Sequence, residues 1–320
     1  KNCTNRLSLE NLKVVAKKKF GNEKYIAKAL QEVFSKVASL EIFQNHDETN
    51  IFGSSPHLNI QSVDDAFAEK IIAVINDIKW NGESKLDLLN EAFGHFVRDN
   101  FRNHKEDAQY MTPIEVVDAM IDMAIVDLEK QREIKQLVIM DPTCGVGTFL
   151  TRAREKLTNH SSLSKLKVSY LGQDKVDRMV RMAKLNFLFS GLDPYNIIQG
   201  NSILGKSFID NYKGKVDLII TNPPFGAEFR LQELSNELQN FEILSKIKNQ
   251  VQAISLNSEL LMLDRSLKLL KPGGKLLIIV PDGVVSSGGL YEAYRKYLIE
   301  NYQLNAVIDL PAVTFAQAGT

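Results

Sequence analysis

Hydrophobic and polar positions give the chain two textures that meet near residue 108. Before that point apolar residues recur at helical spacing, in Ile26, Leu30, Val33, Phe34 and Val37 and again in Phe67, Ile71, Ile72 and Ile75. No alternating or β-branched run interrupts them, so the spacing predicts a helical domain over residues 1–108. The polar stretch 45–62, which carries Gly53 and Pro56, reads as a loop between helices. After residue 108, short apolar runs at 137–140, 168–171, 196–198, 216–220, 276–280 and 306–308 alternate with helical segments. That rhythm predicts an α/β domain over residues 109–320, a doubly wound, mostly parallel sheet covered on both faces. Thr112-Pro113-Ile114-Glu115 has the spacing of a capping box with proline at the first helical position, and Ile114, Val117, Ile121 and Ile125 follow on one face. A second helix is predicted over 260–270, stopped by Lys271-Pro272-Gly273-Gly274 before a strand that begins near Lys275. In such sheets ligands bind outside the carboxyl ends of the strands, so chemistry is sought there.

Composition narrows the class. The 320 residues are 44% hydrophobic and 24% charged, which leaves neither a disordered chain nor a minimal stapled scaffold. No apolar run reaches the roughly 18 residues of a membrane span, and no charged-then-apolar leader opens the chain. A soluble, cytoplasmic protein with no membrane partner is expected. Cys3 and Cys144 are the only cysteines, and His46, His57, His95, His104 and His160 share no ligand spacing, so neither disulfides nor a metal site are expected. The 39 basic and 39 acidic residues cancel overall, yet residues 1–36 hold nine Lys/Arg against three Asp/Glu. Lys13, Lys17, Lys18, Lys19, Lys24 and Lys28 could reach nucleic-acid phosphates there; a solvated helix face is the plainer reading.

The first predicted strand runs into Asp141-Pro142-Thr143-Cys144-Gly145-Val146-Gly147-Thr148-Phe149, where two glycines let the backbone approach a ligand. A nicotinamide fingerprint needs a third glycine where Leu150 stands, which disfavours a dehydrogenase. The second strand ends at Gln173-Asp174, where a carboxylate can accept from both ribose hydroxyls of a nucleoside cofactor or simply cap a helix. Gly200-Asn201-Ser202 closes the third strand; the amide of Asn201 suits an adenine edge, and an ordinary turn explains it as well.

The fourth strand ends in Asn222-Pro223-Pro224-Phe225-Gly226. A structural turn rarely wants two prolines here, since each deletes a donor and fixes φ. Chemistry accounts for all four residues. An exocyclic amine on a base is a poor nucleophile because its lone pair is delocalised into the ring, and it must be held while its nitrogen becomes tetrahedral. The Asn222 side-chain oxygen and the Pro223 carbonyl can accept its two N–H bonds, Pro224 helps fix that carbonyl's direction, and Phe225 offers a stacking face for a base taken out of a helix.

With these motifs in this order, and with Gln109-Tyr110-Met111-Thr112-Pro113 before the first helix and Pro281-Asp282-Gly283 late in the chain, the sequence resembles the N6-adenine DNA methyltransferases. Within them it is most similar to the methylation subunits of type I restriction-modification systems, over roughly residues 86–320. The resemblance implies a Rossmann-like S-adenosylmethionine-dependent fold and methyl transfer to adenine N6 in DNA. Tyr110, Thr112, Asp141, Thr143, Gly145, Gly147, Thr148, Asp174 and Asn201 would then surround S-adenosylmethionine, with Thr112 and Asp141 toward its methionine part and Asp174 toward its ribose. Asn222, Pro223, Pro224 and Phe225 would form the catalytic turn, with Phe315 as a second aromatic wall. Implied partners are DNA, a DNA-specificity subunit and a second copy of the chain, with a restriction subunit as a further candidate.

Asn201 stands where many relatives have Asp. The chain begins with Lys1 and stops at Thr320, before the Lys-Thr element, last antiparallel strand and C-terminal helices of such proteins, so a fragment is expected. The alternatives are an RNA or protein-glutamine methyltransferase with a similar turn, and a catalytically silent DNA-binding subunit. The Gln/Asn-rich stretch 232–252 reads equally as a flap over DNA or an amphipathic insertion, and Glu259 and Asp282 as functional, solvated or capping groups.

Overall fold

A computed structural model describes residues 7–44, 50–53, 55–58, 64–77, 112–130, 134–247, 255–311 and 313–315. The chain divides into two units, Lys1–Glu91 and Ala92–Thr320.

In the first unit, Ser8 caps α1 (Leu9–Phe20) by accepting the Asn11 N–H at 3.2 Å, and Gly21 ends it in the left-handed region. Two further helices, α2 (Ile26–Ala38) and α3 (Asp65–Asp77), close around Leu12, Ala16, Ile26, Ala29, Ala68 and Ile72. The small side chains let the helices approach. The Asp65 carboxylate accepts the Ala27 N–H at 2.8 Å and ties α3 to the first turn of α2. Val37, Phe67 and Ile71, apolar at the same spacing, are exposed. Lys17, Lys18 and Lys19 fall in the last turn of α1, where cations oppose the negative end of the helix dipole. Lys19 is already paired with Glu32, and the Lys28 ammonium lies 4.5 Å from the Tyr25 ring centre.

The second unit holds a five-stranded sheet in the order β3-β2-β1-β4-β7, all parallel: β1 (Gln136–Asp141), β2 (Lys167–Asp174), β3 (Ile197–Gln199), β4 (Val216–Thr221) and β7 (Leu270–Ile278). Along β1 and β4 the side chains alternate between two cores. Leu137, Ile139, Leu218 and Ile220 join one; Met140 and Ile219 join the other. The first core is roofed by α4 (Ile114–Glu129), α5 (Thr148–Asn159) and α6 (Asp177–Phe189), through Val117, Ile121, Leu150, Ala153, Val180 and Ala183. A two-stranded antiparallel ribbon, β5 (Glu228–Arg230) with β6 (Ser255–Asn257), follows the turn after β4. A short α7 (Leu244–Ile247) lies between its strands, and α8 (Ser258–Leu269) continues from it into β7. Beyond β7 come α9 (Asp282–Ser286) and α10 (Leu290–Asn301). No described helix is long and apolar enough to cross a membrane.

Several sequence expectations are corrected here. Residues 306–308 form no strand: Val307 and Ile308 are exposed, and β7 has β4 as its only partner in the sheet. Apolar character alone supplies no ladder. Lys271-Pro272-Gly273-Gly274 does not separate helix from strand but bulges within β7, so Val216 faces Leu270 while Leu218 faces Lys275. Helix α4 has Pro113, not Thr112, at its N-cap, and no side chain caps it. Residues 232–247 are no free flap: Leu234, Phe241 and Ile243 are fully buried, and Asp264 of α8 accepts the N–H of Ile243 at 2.6 Å and of Leu244 at 2.8 Å. Residues 248–254 lie outside the described residues. Phe315 is half-buried and packs against the first core.

Candidate functional site

Pairing of β1 with β4, Met140 beside Ile219, brings the turns after both strands to one place on the carboxyl edge. Asp141 and Thr221 end those strands, and the Thr221 hydroxyl donates to Asp141 Oδ1 at 2.7 Å. The Thr143 N–H donates to the same oxygen at 3.0 Å. Because the Thr221 hydroxyl spends its proton on Asp141, Thr143 Oγ1 is the donor in its 2.7 Å contact with Thr221 Oγ1. Asp141 is 1% exposed, and burial pushes its carboxyl up to about 7 against the pull of these donors, helped by the charge of Asp174.

The turn after β1 uses its two glycines as expected of a close-approach loop: Gly145 has φ 52° and Gly147, at the N-cap of α5 just before Thr148, has φ 83°. It is bonded to the end of β2, where the Cys144 N–H donates to the Gln173 carbonyl and the Gly145 N–H to Asp174 Oδ2, each at 2.9 Å. The other Asp174 oxygen accepts the Val176 N–H at 2.8 Å. Asp174 therefore does not cap α6, whose N-cap is Val176; it fastens two loops together. Burial raises its carboxyl despite these backbone donors. Cys144 is buried, and desolvation followed by the charges of Asp174 and Asp141 pushes its thiol up, which leaves it unreactive.

Asn201 Oδ1 accepts the N–H groups of Ile203 at 2.9 Å and Leu204 at 3.1 Å, so the side chain has its Nδ2 to offer a ligand. Sequence reasoning missed the group that holds this loop. Gln173, fully buried, donates to Ser202 Oγ at 2.7 Å and accepts from Ser207 Oγ at 2.8 Å, while Ser202 donates to the Pro142 carbonyl at 2.6 Å. Arg265 of α8, 1% exposed, donates to the Ser202 carbonyl at 3.2 Å and pairs with Asp210. Only the Gln173 side-chain position, one before Asp174, was a signal that could have pointed to it.

Asn222 follows Thr221 directly. Its Nδ2 donates to Thr112 Oγ1 at 3.0 Å, so the hydroxyl expected to cap a helix orients this amide instead. That bond leaves Oδ1 facing the other way, and Oδ1 is the buried side-chain polar atom without a hydrogen-bond partner among the described residues. Buried acceptors seldom go unpaired, so the site awaits a donor. Pro223 is buried, Pro224 half-buried, and Phe225 is 38% exposed. Tyr110 lies outside the described residues, and Asp282 is exposed at the start of α9.

The arrangement thus combines a glycine turn, two desolvated carboxylates with no cation against them among the described residues, an orphaned amide oxygen and an exposed ring. This donor set fits S-adenosylmethionine: carboxylates suit a cationic amino acid and ribose hydroxyls, and the exposed ring with the orphaned acceptor suits an amino-bearing base. Over residues 84–320 the chain matches the family described as N-6 DNA Methylase. The chain belongs to this family. It is 26% identical over 259 residues to the type I restriction enzyme MjaVII methylase subunit of Methanocaldococcus jannaschii, covering 77% of this chain and 41% of that protein. To the EcoEI methylase subunit of Escherichia coli it is 23% identical, covering 77% and 47%. The N-6 methylase chain thus spans less than half the length of either relative. Among solved structures, the type I restriction-modification methyltransferase subunit from Streptococcus thermophilus shares the fold, with a TM-score of 0.65 and 21% identity over 92% of this chain and 59% of that one.

Proposed function

We propose that this N-6 DNA methylase chain transfers a methyl group from S-adenosylmethionine to adenine N6 in DNA, as the catalytic part of a type I modification subunit in the cytoplasm. Residues 1–108 serve as its helical N-terminal domain and residues 109–320 as its catalytic domain. The single observation that carries the reading is the unpaired, buried Oδ1 of Asn222 beside the exposed Phe225 ring.

When bound, S-adenosylmethionine supplies a methyl group already activated on a sulfonium. Asp141, with Thr143 and the turn from Gly145 to Thr148, would hold its amino-acid end; Asp174 would accept from its ribose and Asn201 would donate to its base. The remaining work belongs to the chain. Asn222 Oδ1 accepts one N–H of the target amine and the Pro223 carbonyl the other, drawing the nitrogen lone pair out of conjugation. Thr112 keeps the amide turned the right way, and Phe225 stacks on the extruded base. Alignment of reacting groups is the main catalytic contribution, since no separate nucleophile is required.

Replacing Asn222 by Ala tests this. Tritiated methyl transfer to DNA should vanish while calorimetric affinity for S-adenosylmethionine stays near wild type; near-normal turnover would overturn the assignment. Phe225→Ala should weaken capture of the base by about 1–3 kcal/mol. The chain has zero net charge and no recognition-helix motif, so on this reading a specificity subunit reads the bases, with two copies of the modification subunit assembled on it and a restriction subunit as a further candidate partner. Efficient sequence-specific methylation by the isolated full-length protein would refute that division of labour.

A further inference from the structure

The loop that carries Phe225 is held from one side by the start of α8 and by α10. Two prolines leave it few backbone donors, and two of these meet side chains of α8. The Gly226 N–H donates to Glu259 Oε2 at 3.0 Å, and the Ala227 N–H to Ser258 Oγ at 3.3 Å. In return Ser258 Oγ donates to the Pro224 carbonyl at 2.8 Å, and the Ser258 N–H to the Ala227 carbonyl at 2.7 Å. Phe225 therefore stands between two anchored neighbours, Pro224 and Gly226, while its own ring is exposed.

Glu259 is an unusual residue for this duty, being a carboxylate only 3% exposed. Its second oxygen, Oε1, accepts the Tyr291 hydroxyl of α10 at 2.9 Å, and Tyr291 in turn accepts from Asn257 Nδ2 at 2.9 Å. The bonds run in one direction, from Asn257 to Tyr291 to Glu259, and meet the Gly226 N–H at the far oxygen. Burial pushes the Glu259 carboxyl up, but the Gly226 N–H, its own backbone N–H and the Tyr291 and Asn257 side chains outweigh it and hold the group below its ordinary range, so it stays ionised. Burial, then the neighbouring Glu259, pushes Tyr291 up to about 12, which keeps it a donor. A buried charge satisfied on both oxygens is costly to maintain for the sake of packing alone.

We propose that Glu259 and Tyr291 are positioning residues for base capture: they clamp Gly226 so that the Phe225 ring is presented to the extruded base, while making no contact with the methyl donor. The proposal rests on the preceding functional reading and adds to it residues outside the catalytic turn.

The test uses the full-length protein in its native assembly with two duplexes: one has adenine at the target and reads turnover, and the other has 2-aminopurine there, which lacks the N6 amine and reads only extrusion, its fluorescence rising when the base leaves the stack. Tyr291→Phe keeps the ring packing and removes one donor; Glu259→Gln keeps the shape and removes the charge. Both variants should lose kcat/KM for DNA, Tyr291→Phe by a few-fold and Glu259→Gln by roughly tenfold or more. The 2-aminopurine signal should fall in parallel, with unchanged affinity for S-adenosylmethionine and an unchanged melting temperature for Tyr291→Phe. Wild-type fluorescence and turnover in both variants would overturn the proposal, as would losses that follow cofactor affinity or unfolding in Tyr291→Phe. A wild-type assembly that methylates no DNA, or an active Asn222→Ala variant, would instead overturn the functional reading itself.

Discussion

Replacing Asp141 by Asn should make the protein less sensitive to pH, and the expected size follows from the burial of this one carboxyl. In the folded chain it is pushed from its ordinary 3.8 up to about 7, chiefly by desolvation. Below pH 4 the group is protonated whether the chain is folded or not, and it costs nothing. As pH rises toward 7 the unfolded chain releases the proton while the folded chain keeps it, so stability falls across that window and is flat above it. At about 1.36 kcal/mol per pH unit the whole loss is on the order of 4 kcal/mol, of which about 2 to 3 kcal/mol falls between pH 5 and pH 8. Asn is nearly isosteric and still accepts from Thr143 and Thr221, yet does not titrate. Urea unfolding of both proteins at pH 5, 6, 7 and 8, followed by circular dichroism, should show the variant gaining on wild type by that amount, whatever constant offset the amide introduces. Parallel curves would refute the reasoning and mean that Asp141 is ionised in the folded chain at pH 5. Above about pH 7, where Asp141 is ionised in the folded chain, the variant is also expected to bind S-adenosylmethionine more weakly, because a negative charge has gone from the place assigned to the methionine end.

Three further outcomes are expected. Thr112→Val removes the acceptor that orients Asn222, and should lower kcat by roughly three- to tenfold through one lost neutral hydrogen bond, with cofactor affinity intact; a loss confined to cofactor affinity would return Thr112 to the methionine end. Arg265→Met should cost about 3–5 kcal/mol in urea unfolding, since Asp210 and the Ser202 carbonyl lose a buried partner together; an effect below about 1 kcal/mol would show that water replaces the guanidinium freely. Of the three lysines in the last turn of α1, Lys19 is engaged by Glu32, and replacing Lys17 and Lys18 by Gln should flatten the salt dependence of DNA binding by up to about two units. An unaltered slope would leave them as the cationic end of α1.

The parts of the fold that were legible in the sequence share one property: local pattern and tertiary demand agree. The runs that became β1 and β4, in the middle of the sheet, are buried on both faces, so their continuous apolar character survives into the structure. Where the two disagree, the reading failed for identifiable reasons. Pro272 and Gly273 are strong breakers in sequence, but a bulge accommodates both within β7. Thr112 and Glu115 have capping-box spacing, yet the Thr112 hydroxyl is claimed by Asn222, 110 residues away, and Glu115 is exposed. Residues 306–308 have a strand's composition without a strand's partner. At the candidate site, the Asn222 turn stood out because four adjacent residues were jointly odd for a structural turn. Glu259 could not stand out, because its burial is decided by Gly226 and Tyr291, each 32 or 33 positions distant.

The end of β4 shows how one strand can serve two tasks. Successive residues of a strand point to opposite sides. Thr221 turns its hydroxyl to Asp141 and Thr143, in the turn assigned to the cofactor, while the next residue, Asn222, gives its amide to Thr112 and leaves unpaired the oxygen that the proposed mechanism assigns to the base. The spacing between the two halves of the reaction is therefore set by the β1–β4 register and not by loop length. A substitution in the loop beyond Pro223 can disturb base capture alone, because the cofactor turn does not rest on that loop. A substitution that shifts β4 by one residue would exchange the two sides, placing an amide in the carboxylate pocket and a hydroxyl before the base, and both functions would fail together. Buried Thr221, bonded to the turn assigned to the cofactor and next in sequence to Asn222, is on this argument the residue that keeps the two in step.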